Sequence, residues 1–209
     1  ARAVAEFAVG LILAETRNIA RTHAAMMEHV WLKDFPNGED IPELEGRTVG
    51  IVGAGAIGQL VMKFLTGMDA TCVFYDPYCQ SSPWGTKVED LADLVAASDV
   101  LSIHSRLSAD THHLIDRDLL ARMKPSAILV NTARSGLVDE EALLDCLEAG
   151  RIMGAAIDTF DREPLPADSR WLTLRNVTIT SHLAGSTKDA FRKTPRMLSK
   201  RILTALEEG

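Results

Sequence analysis

Cysteine is scarce in this 209-residue chain: there are three, Cys72, Cys79 and Cys146, far apart and without the paired spacing of a metal site. An odd count leaves at least one thiol unbridged, and reduced thiols in the cytoplasm are expected. Basic residues are in the minority, 22 Lys and Arg against 29 Asp and Glu, and the formal charge of −7 argues against a nucleic-acid partner. Long apolar runs are absent too. The longest uncharged stretch, Thr48 to Met62, is too short to cross a bilayer and carries four glycines, so no membrane segment is expected. No signal peptide, internal repeat or low-complexity tract is visible. What remains is a chain with 46% hydrophobic residues, enough for a sizeable buried core.

Within it, the run Thr48-Val-Gly-Ile-Val-Gly53-Ala-Gly55-Ala-Ile-Gly58 reads as a strand, a tight turn and the start of a helix. A second apolar stretch, Thr71 to Tyr75, follows and ends in Asp76. This order describes a dinucleotide pocket. Gly53 allows the turn, Gly55 lets backbone approach a pyrophosphate, and Gly58 lets the helix pack on the strand, while the helix N-terminus offers free N–H groups to phosphates. Asp76 can accept hydrogen bonds from both adenosine ribose hydroxyls and would repel a 2′-phosphate, so NAD is expected over NADP.

From there strand and helix patterns alternate. Strands are expected at Thr48–Val52, Thr71–Tyr75, Val100–His104, Ala127–Asn131, Met153–Ile157 and Val177–Thr180. Helices are expected from Ala56 and over Glu89–Ala97, Asp116–Met123 and Asp139–Ala149. Continuously apolar strands such as Ala127-Ile-Leu-Val require a sheet covered on both faces, and the fold class is α/β, a doubly wound parallel sheet. Ligands of such sheets bind beyond the carboxyl ends of the strands, which marks Asp76, His104, Thr132 to Arg134, Asp158 and His182. At the chain's start, helical rhythm runs at once through Val4, Phe7, Ala8, Leu11, Ile12 and Glu15, with no lead-in, as in a chain that has been cut. After it, Phe35-Pro-Asn-Gly-Glu-Asp-Ile-Pro-Glu reads as a connector.

Three side chains could carry chemistry. Arg134 can hold a carboxylate through two parallel hydrogen bonds; the alternative is a surface arginine paired with Asp139 or Glu140. His182 suits proton transfer near neutrality, and Glu163 could hold its second nitrogen protonated and orient the ring. The alternatives are a loop glutamate and a histidine capping the helix that starts near Ser186. No metal site is expected.

Nearly the whole chain resembles the D-isomer-specific 2-hydroxyacid dehydrogenases, which include phosphoglycerate and glycerate dehydrogenases. The resemblance rests on the glycine turn, on Asn131-Thr-Ala-Arg134-Ser-Gly-Leu-Val-Asp-Glu, on Asp158-Thr-Phe-Asp-Arg-Glu163-Pro and on Thr180-Ser-His182-Leu-Ala-Gly185. It implies hydride transfer between NAD(H) and a 2-hydroxy or 2-keto acid, D-specific, in a cytoplasmic homodimer that pairs through the opening helix. It further implies that Arg134 binds the substrate carboxylate, His182 is the acid/base and Glu163 its partner. Gly53, Gly55, Ala56, Ile57, Gly58, Asp76, His104, Ser105, Arg106, Thr132, Ala133, Asp158, His182 and Gly185 would line the cofactor site. The expected division is 1–34 as crossing helix and connector from a substrate domain this chain lacks, 35–185 as the Rossmann domain and 186–209 as the returning helix. Relatives often carry Arg where this chain has Ala56, Pro where it has Arg106 and Gly where it has Ser135. A Glu rather than Gln at 163 favours a hydroxyacid over formate. The other readings are an NAD-responsive, corepressor-like binding protein with little turnover, and a methyltransferase using a similar glycine turn.

Overall fold

A computed structural model describes residues 1–32 and 43–207; the expected connector, apart from Glu43, lies outside the described residues. Strands β1 (Thr48–Val52), β2 (Thr71–Tyr75), β3 (Thr86–Lys87), β4 (Val100–Ile103), β5 (Ile128–Asn131), β6 (Gly154–Ile157) and β7 (Val177–Ile179) form one sheet in the order β3-β2-β1-β4-β5-β6-β7. All six pairings are parallel. The order reverses at β1, so the crevice between the exits of β1 and β4 is the topological switch point where such sheets take ligands.

The strand sequences explain the two covered faces. On β5, Ile128 and Val130 enter one core and Leu129 the other; on β6, Ala155 and Ile157 face the second core and Ala156 the first. This is the period of two that a pleated strand imposes, with both sides apolar. Helices α1 (Arg2–Thr16) and α3 (Ala56–Thr66) cover the first face through Ala5, Ala8, Ile12, Val61 and Leu65. The second is covered by α4 (Leu91–Ala97), α5 (Arg117–Leu120) and α6 (Glu140–Glu148) through Leu94, Leu120, Leu143 and Leu147. The N-caps Asp90, Asp116 and Asp139 accept from Ala92, Leu119 and Ala142 N–H groups, which sets the starts of these helices one or two residues inside the expected ones.

The structure corrects two expectations. The crossing helix expected within 1–34 is broken in two: α1 stops at Thr16, Asn18 takes a left-handed φ of 53°, and α2 (Ile19–Met27) follows. The cause is a buried carboxylate. Glu15 is fully enclosed, where it accepts from Thr178 Oγ1 at 2.7 Å and pairs with Arg21, which also donates to Asn18 Oδ1 at 2.6 Å and Arg175 O at 2.7 Å. Burial pushes the Glu15 pKa up while Arg21 and Thr178 pull it down, so the turn brings Arg21 back to pair with it. The second correction is β3, whose two residues are too few for any periodicity to reveal. The closing helix α7 (Lys188–Glu207) starts two residues after Ser186.

Candidate active site

Every expected site residue falls at the carboxyl edge of the sheet. Gly53, Gly55, Ala56, Ile57 and Gly58 make the β1–α3 turn, and Asp76 follows β2. His104, Ser105 and Arg106 follow β4, and Thr132, Ala133 and Arg134 follow β5. Asp158 and Glu163 lie beyond β6, with His182 and Gly185 beyond β7.

The turn is glycine-specific at two positions. Gly53 sits at φ +95°, and a Cβ on it would come within 2.7 Å of the Ser105 backbone nitrogen. A Cβ on Gly58 would stand 2.1 Å from the Gly53 carbonyl, so helix and strand close only without one. Among the described residues, by contrast, a Cβ on Gly55 would meet nothing within 4 Å, and no side chain caps the α3 N-terminus. That open space in front of unpartnered N–H groups is what a phosphate group needs. Asp76 stands beside it, its Oδ2 accepting from Ala54 N at 2.8 Å and its Oδ1 from Tyr78 N and Cys79 N at 2.8 and 3.0 Å. Further along the edge, the hydroxyl of buried Thr132 has no hydrogen-bond partner among the described residues. An orphaned buried donor and an open phosphate cradle on one rim fit a dinucleotide.

His182 occupies a left-handed backbone position, φ 56°, which a β-carbon residue adopts only when its surroundings enforce it. Asp158 supplies that enforcement. It is fully buried; Oδ1 accepts from Thr180 Oγ1 at 2.6 Å and Leu183 N at 2.9 Å, and Oδ2 from Ala184 N at 2.9 Å. The carboxylate thus grips the loop on both sides of the histidine. On the ring, Nδ1 lies 2.8 Å from Glu163 Oε2, while Glu163 Oε1 accepts from Phe160 N at 2.9 Å. The hydrogen bond to His182 leads the causes that hold the Glu163 pKa below its ordinary value, followed by Phe160 N–H and, at longer range, the Arg134 charge. An ionised Glu163 makes Nδ1–H the donor and leaves Nε2 for other work. The pair also forms one wall of an open pocket of about 700 Å³ whose other lining is mostly apolar, including Phe160, Leu165 and Leu183.

Arg134 does not pair with Asp139 or Glu140. Asp139 caps α6, Glu140 accepts from Asp161 N, and Arg134 is exposed, its Nη1 resting on the Ala133 carbonyl at 2.6 Å. Among the described residues it has no ion-pair partner. One residue of this site escaped sequence reasoning. Buried Asn131 donates from Nδ2 to Arg134 O at 2.9 Å and accepts from Ala133 N at 3.0 Å, which locks the turn that presents the guanidinium. An Asn two residues before a turn's apex is the signal that could have found it.

His104 is a different kind of histidine. Its Nε2 lies 2.9 Å from Ser102 Oγ, and burial pushes its pKa down from 6.5 to about 4, so it is neutral at pH 7 and unsuited to donating protons there. Between those two values the unfolded chain binds a proton that the folded chain refuses. Stability present above pH 6.5 is therefore lost as the pH falls through the window, by about 3 kcal/mol in all. Thermal melts of the parent and of His104→Gln from pH 7 to pH 4 are expected to differ in slope, with the variant flatter; parallel curves would refute the shift.

Comparison with known proteins agrees with the fold. Residues 9–184 match the family described as D-isomer specific 2-hydroxyacid dehydrogenase, NAD binding domain. The chain is 38% identical to a glyoxylate reductase of Thermofilum pendens, over 98% of this chain and 62% of that protein. It is also 38% identical to a D-3-phosphoglycerate dehydrogenase of Mycobacterium tuberculosis, over 97% of this chain and 38% of that one. It therefore spans only part of the length of these relatives. Among solved structures, the NAD complex of a D-isomer specific 2-hydroxyacid dehydrogenase from Lactobacillus delbrueckii ssp. bulgaricus superposes with a TM-score of 0.86 at 29% identity, covering 100% of this chain and 67% of that one.

Proposed function

The chain belongs to the D-isomer specific 2-hydroxyacid dehydrogenases, as the NAD-binding domain of that family, and from this premise we propose that it is the cofactor half of an enzyme that interconverts a 2-hydroxy acid and its 2-keto acid. The observation that carries the proposal is the His182–Glu163 pair at 2.8 Å on the same sheet edge as an arginine that has no ion-pair partner among the described residues and a glycine turn open to phosphate. The nicotinamide, when bound, supplies the hydride acceptor or donor. Arg134 pairs with the substrate carboxylate through its two-pronged guanidinium and sets which carbon faces the ring. His182 Nε2 takes the hydroxyl proton as the alcohol is oxidised and returns it on reduction, while ionised Glu163 holds Nδ1–H and stabilises the charged imidazole. Gly53, Gly55, Ala56, Ile57 and Gly58 would hold the diphosphate through backbone, Asp76 would take the ribose, and Thr132, Ala133, Asp158 and Gly185 would serve the nicotinamide half.

A homodimer in the cytoplasm is part of the same proposal. Its support is the set of exposed apolar residues on and after α2, Met26, Met27, Val30 and Trp31, together with three free thiols. No helix among the described residues is long and apolar enough to cross a membrane.

The test is NADH consumption by the full-length protein against a panel of 2-keto acids. Turnover of at least one is expected, and Arg134→Leu is expected to lower its kcat/KM by about 10²-fold or more, since a desolvated charge pair is lost. NADH binding without turnover of any keto acid would instead favour the corepressor-like reading.

A further inference from the structure

The nucleotide turn carries no cation. The first turn of α3 is Ala56-Ile-Gly, and the charge beside the turn, on Asp76, is negative. The whole chain bears a formal −7, a field that opposes the approach of an anionic diphosphate. One basic residue stands where it could offset this. His104 N donates to Val52 O at 2.7 Å, so the exit of β4 stays pinned to β1. Ser105 then lies directly against Gly53, and Leu107 lies against Gly136, where a Cβ would be 3.3 Å away. Arg106 is held between these anchors, on the segment that leads from the glycine turn to Gly136. Its carbonyl accepts from Thr111 Oγ1 at 2.8 Å, which fixes its backbone further. The side chain is exposed and among the described residues has no acidic partner. An exposed guanidinium on the segment that leaves the switch point, with no carboxylate among the described residues to neutralise it, is available to an anion bound there.

We propose that Arg106 supplies the cationic contact to the phosphates of the cofactor's adenosine half, a contact the glycine turn itself makes only with backbone N–H groups. Arg106 thereby makes NAD(H) affinity depend on ionic strength. The inference rests on the reading of this crevice as the dinucleotide site. Arg106 lies outside the hydride-transfer machinery, so its effect belongs to binding and not to the chemical step.

The experiment is equilibrium titration of the full-length protein with NADH, ADP and adenosine across a salt series, for the parent, Arg106→Met and Arg106→Lys. Arg106→Met is expected to weaken NADH and ADP by about fivefold to tenfold at low salt, to leave adenosine unchanged, and to flatten the salt dependence. Arg106→Lys is expected to keep most of the affinity and the slope, because the charge remains where the methionine removes it. An equal loss for adenosine, or an unchanged ADP affinity in Arg106→Met, overturns the inference and leaves the dehydrogenase reading intact. Absence of NADH binding to the parent protein overturns both.

Discussion

Replacement of His182 by alanine in the full-length protein is expected to lower kcat by about 10²- to 10⁴-fold, the range that a positioned general acid/base supplies. NADH affinity should hardly change, because the ring's partner is Glu163 and not the glycine turn. Thermal stability should hold as well, since the side chain is 43% exposed and its loss opens no cavity. Glu163→Gln is the companion test. The amide can still orient the ring but no longer balances a charged imidazole, so an intermediate loss is expected. A drop below tenfold for His182→Ala, with stopped-flow showing chemistry still rate-limiting, would remove the histidine from its assigned role.

The second large effect concerns Asp158, and it is one of stability as well as rate. Its carboxylate satisfies the Thr180 hydroxyl and the Leu183 and Ala184 N–H groups in a fully buried place. Asp158→Ala strands all three, at roughly 1–3 kcal/mol for each buried donor left without a partner. A total of about 3 kcal/mol or more corresponds to a Tm lower by about 6–12 °C in a domain of this size. Asp158→Asn keeps one good acceptor and should fall between. Because the same bonds hold His182 at φ 56°, kcat in Asp158→Asn should drop even where the protein remains folded. A Tm shift below about 2 °C for the alanine variant would mean that other contacts hold the loop.

Much of this was legible before any coordinates. The alternation of apolar strands with helical stretches, with glycine and aspartate at their junctions, is enough to specify a parallel sheet covered on both sides. The starts expected at Glu89, Asp116 and Asp139 lie within two residues of the observed ones, because a carboxylate that accepts from free N–H groups is a local effect. The break at Asn18 was not legible. Helical rhythm continues through Ile19 to Met27, and what redirects the chain is Arg21 reaching back to Glu15, itself bonded to Thr178 from the far end of the chain. Likewise, whether Arg134 pairs with Asp139 or stands alone depends on Asp139 being engaged as an N-cap.

Residue types and their order along the chain alone determined the doubly wound class, the glycine turn with its acid, and which side chains were able to carry a proton or hold a carboxylate. These follow from short-range sterics and periodicity, which neighbours in sequence suffice to impose. Only the tertiary structure decided that Glu163 meets His182, that Asp158 is enclosed as the clamp of the histidine loop, and that Ser105 and Leu107, on either side of Arg106, lie against Gly53 and Gly136. Each of these depends on segments from separate strands being brought to one edge, and that is set by which faces of the sheet the helices can bury.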